Sequence, residues 1–303
     1  MPATVAHRLT RLGIDPPTLI GMSAVLIWSA TIGLYRSIAE TFGSVGGAAL
    51  MFSVAGIIGA LRAGPGLLRG HRPLYLLLGG MLFIGHEMCL ALALGIANDR
   101  SQSIELGLIN YLWPCLIVVL AVALREQRAS AWIIPGVALC LGGVMWALSG
   151  GQGVSLPALK AHILSNPSAY ALALCAALSW PAYTLLTRRM AGGRSAVPLF
   201  LLAAAALLWI KFHSSAQPPL HWDSRGLLMV CGFGLATSLA YSAWNHAAIH
   251  GNLTLLATAS YFTPVLSVLF SSLLFGTLLD GSFWVGACIV SAGSLLCWHA
   301  TRN

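Results

Sequence analysis

The chain has 303 residues, of which 58% are hydrophobic and 8% charged, with 16 basic and 8 acidic side chains and a formal net charge of +8. Soluble globular proteins carry about 25% charged residues. So few charges, at a mean hydropathy of +0.83, exclude a soluble enzyme, a nucleic-acid binder and a secreted disulfide scaffold. The composition is that of an integral membrane protein, with the lipid bilayer as its solvent.

Residues 1–17 form a short, polar, basic segment that reads as cytoplasmic. The apolar run after it extends past Tyr35, too long for the core of a cleavable signal, and so reads as a first membrane span. A bilayer core of about 30 Å needs about 20 helical residues. That ruler gives ten spans, beginning near Thr18, Gly43, Pro73, Gln102, Ala131, Pro167, Ala196, Gly226, Asn252 and Ser282. Alternation of period two is missing, so the fold class is all-α, not a barrel. Two five-helix units, 18–150 and 167–303, flank an extracytoplasmic loop at 151–166. With the first residue inside, eleven basic residues fall on the inner side, Arg62, Arg69, Arg188 and Arg189 among them. Five fall outside: Arg36, Arg100, Lys160, Lys211 and Arg225. Positive charge is retained in the cytoplasm, so both termini are expected there.

Candidate functional residues follow the spans. Trp28 lies near the middle of the first, which has no mid-span acid. The third carries His86 and Glu87, the latter the only acid well inside a span. Ionisable groups at that depth are functional candidates by default. Glu87 suits a substrate ammonium or a coupling proton, and equally a buried structural link with His86. In the fourth span Asn110, Trp113 and Pro114 share a face by their spacing, while Glu105 is expected near enough to the surface to be hydrated. Trp180 lies at the centre of the sixth. In the eighth, Tyr241 and Asn245 offer hydroxyl and amide contacts, and His246 is expected to be a packing histidine. Tyr261 and Pro264 share a face of the ninth. The seven cysteines all sit in apolar runs without a CxxC pair and read as packing residues, neither metal ligands nor disulfides.

The chain also repeats itself. Asn110–Pro114 (NYLWP) recurs 150 residues later as Ser260–Pro264 (SYFTP), Gly136 falls on Gly286, and Gly143 on Gly293. At a displacement of 152, Trp28 falls on Trp180. Five spans separate the copies, and five is odd, so they enter the membrane from opposite faces. Such inverted repeats let two bundles rock about a central site. Pro114 and Pro264 each lie about 12 residues into a span, about 18 Å deep at 1.5 Å per residue. Each frees the carbonyl four residues before it, which must face protein or a wet cavity. Opposed helix breaks at one depth mark a transport site, and mid-bilayer tryptophans at repeated positions suggest an aromatic lining. Without a mid-span Lys or Arg, nothing neutralises a phosphate, and without a Walker motif the chain is not a complete ATP-driven pump. A neutral or zwitterionic cargo remains. Gly21-Met22-Ser23-Ala24 is a weak match to a hydrolase nucleophile and leaves the repeat unexplained.

With these residues in hand, the chain resembles the ten-span, EamA-type branch of the drug/metabolite transporter superfamily, and within it the aromatic amino acid exporters. The resemblance rests on Ile109–Pro114, Ser260–Leu266, Tyr241–Asn245, His250–Thr254 and Gly293–Trp298. It implies export of phenylalanine, tyrosine and tryptophan across the bacterial inner membrane through a central cavity; some relatives export flat cations such as methyl viologen. It carries the substrate site over to Trp28, His86, Asn110, Tyr111, Trp113, Pro114, Trp180, Tyr241, Trp244, Asn245, Tyr261 and Pro264. No catalytic residue, cofactor or metal is expected, nor a nucleic-acid partner, and the oligomeric state is expected to be a monomer or a weak homo-oligomer.

Overall fold

The computed structural model describes residues 15–125, 128–148, 156–217, 219–220, 223–251, 256, 259–260, 262–276 and 280–300. Among them there is no strand. The helices are α1 (Pro16–Ser29), α2 (Thr31–Phe42), α3 (Ser44–Ala63), α4 (Pro73–Gly95), α5 (Arg100–Asn110), α6 (Trp113–Ala123), α7 (Ile133–Leu148), α8 (Leu156–Ser165), α9 (Pro167–Met190), α10 (Val197–Ser214), α11 (Ser224–His250), α12 (Thr263–Phe275) and α13 (Gly281–Ala300). Nine of the ten expected span starts fall within about two residues of a helix start. The tenth, at Asn252, lies outside the described residues, as do the first fourteen residues and Tyr261.

Local chemistry explains the starts. Asp15, Asp99 and Asp223 each accept a hydrogen bond at 2.7 Å from the backbone N–H three residues on, and Asn166 does the same for α9 at 3.3 Å. These side chains satisfy donors that a helix start leaves free. Pro16, Pro73 and Pro167 occupy the first helical position, where a missing N–H costs nothing.

Among the described residues, five helices are long and apolar enough to cross a membrane: Ser44–Gly66, Pro73–Gly95, Pro167–Met190, Val197–Ser214 and Ser224–His250. Their outward faces are oily, with Leu61 77% and Leu228 74% exposed, as a bilayer-embedded surface requires. The first span is not the single helix that its hydropathy suggests. It breaks at Ala30, and the segments Pro16–Ser29 and Gly33–Phe42 are bent by 50°. The fourth breaks across Tyr111 and Leu112. The segment expected as a plain loop at 151–166 contains α8.

The closest helix pairs are α7 with α13, α3 with α10, α4 with α9, and α1 with α11. The first pair shows how near two backbones can come. A Cβ on Gly143 would stand 2.8 Å from the Gly286 carbonyl oxygen, and one on Gly293 would stand 2.7 Å from that of Gly136. Small residues permit such contact, which replaces the hydrophobic effect as the cohesive force inside a bilayer. Gly136 faces Gly293 and Gly143 faces Gly286, so the helices run antiparallel, and each contact pairs one glycine with the repeat partner of the other.

Candidate functional site

The two helix breaks meet. At Ala30 the helical ladder of α1 stops, and the Trp28 carbonyl accepts a hydrogen bond at 3.0 Å from the Tyr111 hydroxyl. Tyr111 itself stands at the α5–α6 break, so a side chain from one interruption satisfies a backbone group freed by the other, as the low-dielectric interior demands. Pro114 is the second residue of α6, where it needs no N–H partner. Pro264 holds the same place in α12, which begins at Thr263, 150 positions after Trp113.

Around this junction lies a cavity lined by Trp28, His86, Leu90, Asn110, Tyr111, Trp113, Trp180 and Tyr241. About 40 Å³ of it is wide enough for the centre of a water molecule. One water needs about 10–15 Å³ by that measure, so this conformation has room for a few waters and is closed to an amino acid. The rings fill it. Trp28 meets Trp180 at 5.3 Å between centroids, Tyr241 at 5.1 Å and Trp244 at 5.1 Å. Trp113 meets Trp244 edge to face at 5.5 Å, and His86 lies 5.1 Å from Trp180.

Two polar atoms of the wall are buried without a hydrogen-bond partner among the described residues: Trp28 Nε1, a donor, and Asn110 Oδ1, an acceptor. Buried polar groups are nearly always paired, so an unpaired donor and an unpaired acceptor on two lining residues stand out.

The remaining candidates divide. Trp244 is buried behind Trp28 and Trp113 and buttresses the wall. Asn245 is engaged at both ends of its amide: it accepts from the Tyr183 hydroxyl at 3.3 Å and donates to the Tyr241 carbonyl at 3.0 Å. Glu87 is fully buried and off the wall. Its carboxyl accepts hydrogen bonds from the hydroxyls of Tyr35, at 3.1 Å, and Tyr241, and His86 Nε2 stands 3.9 Å away. His86 Nδ1 faces the Ala176 carbonyl at 2.9 Å. A carbonyl only accepts, so Nδ1 carries the proton.

Two expectations are corrected. Glu105 is buried, not hydrated, and is held by the Tyr170 hydroxyl at 2.6 Å and by His162 at 3.3 Å. His246 is exposed instead of packed and lies 4.8 Å from His250. Sequence reasoning missed Leu90 on the wall, Tyr35 beside Glu87, and Pro181, which stands inside α9 next to Trp180. The last was findable, since a proline beside a repeated tryptophan at mid-span is visible in the chain.

At the end of α2 a charged cluster joins three elements. Glu40 receives Arg36 at 3.0 Å and Arg100 at 2.9 Å, while Arg36 also donates to the Ala97 carbonyl at 2.9 Å. It draws together the ends of α2, α4 and α5.

Residues 167–298 match the model of the EamA-like transporter family. The aromatic amino acid exporter YddG of Salmonella typhimurium strain 14028s is 39% identical over 286 residues, 94% of this chain and 98% of the relative. The chain belongs to the EamA-like transporter family. This makes it a multi-pass membrane transporter, not an enzyme. Within the family, YddG of Escherichia coli K12 shows the same 39% identity and coverage. The YddG exporter of Ancylobacter novellus is 30% identical over 83% of this chain and 86% of its own. A solved crystal structure superposes with a TM-score of 0.70 at 26% identity, over 95% of this chain and 99% of the other.

Proposed function

We propose that this EamA-like transporter exports the aromatic amino acids phenylalanine, tyrosine and tryptophan across the bacterial inner membrane, by alternating access about the aromatic cavity. The observation that carries the reading is the wall itself: a box of rings with one unpartnered donor and one unpartnered acceptor. An aromatic amino acid presents the complement, a flat ring with a carboxylate that takes the Trp28 Nε1–H and an ammonium that gives to Asn110 Oδ1. Ring pairs add about 0.5–1.5 kcal/mol each beyond the buried area. The names of the full-length relatives point the same way.

In this reading the chain has ten spans in two inverted five-helix repeats, with both termini in the cytoplasm. Two features support it: the antiparallel glycine crossing of α7 and α13, and the start of α12 at Thr263, 150 positions after α6 begins at Trp113. The two units rock about the α7–α13 crossing, and Arg36, Glu40 and Arg100 close the outer end. Trp28, His86, Asn110, Tyr111, Trp113, Trp180 and Tyr241 touch cargo. Trp244, Asn245 and Pro114 hold the wall, and Tyr261 and Pro264 keep the contact role implied by the resemblance. Export of flat cations such as methyl viologen is not favoured, because its anionic contact, Glu87, is turned away from the cavity and occupied by two tyrosine hydroxyls.

Counterflow in proteoliposomes tests the proposal. Vesicles preloaded with phenylalanine, at equal pH on both sides, should accumulate labelled phenylalanine from outside, competed by tryptophan and not by leucine. No accumulation above protein-free vesicles, with or without an imposed pH gradient, sinks it.

A further inference from the structure

Three of the cysteines converge. Cys115 at the start of α6, Cys140 midway along α7 and Cys297 near the end of α13 are buried to within 3% exposure, and their sulfurs all lie within 4.8 Å of one another. Cys115 Sγ and Cys297 Sγ are 3.6 Å apart. The others behave differently: Cys175, Cys231 and Cys288 are exposed on the lipid-facing surface, and Cys89 is half-buried.

The glycine crossing makes the room. A Cβ on Gly136 would stand 2.6 Å from Cys297 Sγ, and one on Gly293 would stand 2.8 Å from Cys140 Sγ. Two of the thiols thus fill volume that any larger residue at these glycines would take. Buried cysteines commonly act as small hydrophobes, but packing has no need to bring three sulfurs from three helices to one point. A metal ion does. With sulfur ligands at about 2.3 Å in a plane, the three sulfurs stand about 4 Å apart, and the spacing here brackets that figure. The Ser294 hydroxyl lies 3.5 Å from Cys140 Sγ, and no histidine or carboxylate joins the group among the described residues. Soft sulfurs suit zinc and Cu(I) alike, but zinc sites want a fourth donor, so a set of three points to Cu(I).

We propose that Cys115, Cys140 and Cys297 form a three-thiol binding site for a soft monovalent cation, Cu(I), where α6 meets the α7–α13 crossing. Each thiol that ligates as thiolate releases one proton, and the ion stays Cu(I), so no oxidant enters. Cys115 follows Trp113 and Pro114 directly, so the ion ties the helix that carries Trp113 to the cavity onto the glycine crossing.

The test supplies Cu(I) anaerobically to the purified full-length protein, washes with a copper chelator and measures copper per chain by mass spectrometry. One copper per chain is expected, falling at least tenfold in Cys115→Ala and in Cys140→Ser and unchanged in Cys175→Ser. Retention no higher than in the triple variant Cys115→Ala/Cys140→Ser/Cys297→Ala overturns the proposal, as does retention that the single changes leave intact. If a variant loses its monodisperse elution, X-ray absorption of the copper-loaded wild type decides: sulfur neighbours alone support the site, and nitrogen or oxygen neighbours overturn it. Neither measurement depends on which cargo the protein moves.

Discussion

Trp28 and Trp180 meet edge to face, their centroids 5.3 Å apart and their planes at 83°, and they stand 152 positions apart in the chain. Each lies beside a helix irregularity, the break at Ala30 for Trp28 and Pro181 for Trp180. The cavity is therefore built where two tryptophans at interrupted helices meet, the juxtaposition that the proposed repeat calls for.

The Trp28→Phe variant keeps a ring in the wall and deletes its N–H. A hydrogen bond to a charged group contributes about 1.5–3 kcal/mol, so the half-saturating phenylalanine concentration in counterflow should rise at least about tenfold. An unchanged value would remove Trp28 Nε1 from the carboxylate contact.

Asn110→Leu removes the acceptor proposed for the ammonium. Phenylalanine uptake should fall at least about tenfold, again on the scale of one charge-assisted hydrogen bond. Competition by phenylpropionate, which has the ring and carboxylate without the ammonium, should be unaltered in this variant. Equal weakening of both ligands would mean that Asn110 shapes the wall without touching the nitrogen.

Glu87 joins α2, α4 and α11 through Tyr35 and Tyr241. An amide at this position loses one acceptor, leaving a tyrosine hydroxyl buried and unpaired at a cost of about 1–3 kcal/mol. Glu87→Gln should lower the thermal midpoint in detergent and leave measurable counterflow at equal pH. Loss of transport with the midpoint preserved would give Glu87 a direct part in the cycle.

Gly293→Ala puts a Cβ 2.6 Å from the backbone nitrogen of Cys140. A helix pair pressed that closely yields only by separating, and overpacking costs about 1–3 kcal/mol. Gly142→Ala, next to the crossing but with nothing within 4 Å, is the control and should be neutral or slightly stabilising. Equal thermal midpoints for the two variants would contradict the crossing.

The hydropathy pattern placed the long spans well because a buried backbone forces each into one helix, and Pro73 and Pro167 announce their own starts. Pro114 likewise announced a break, and the chain stops and restarts across Tyr111 and Leu112, just before it. The break at Ala30 was illegible: neither a proline nor a glycine stands there, and its freed carbonyl is satisfied by Tyr111 from 83 residues away. The engagement of Asn245 and the burial of Glu105 escaped for the same reason. A polar residue's role depends on partners, here Tyr183, Tyr170 and His162, that lie far off in sequence. Helical spacing put Asn110 and Trp113 on one face of a single span; they instead stand on either side of the break, ending α5 and starting α6, and reach the same cavity wall by that route.

The rings around the cavity already hold one another, and this bears on how firmly cargo is held. An arriving aromatic side chain must part Trp28 from Trp180 or Tyr241 and then offers those rings the same kind of contact that they gave up. The exchange is close to even, ring for ring, so little of the gross attraction survives as net affinity. What tips the balance is the pairing of two polar atoms, Trp28 Nε1 and Asn110 Oδ1, that had no partner before. In the proposed site the charged end supplies the net affinity and the ring the choice of passenger, since only another ring completes the exchange, and the hold is loose enough to release.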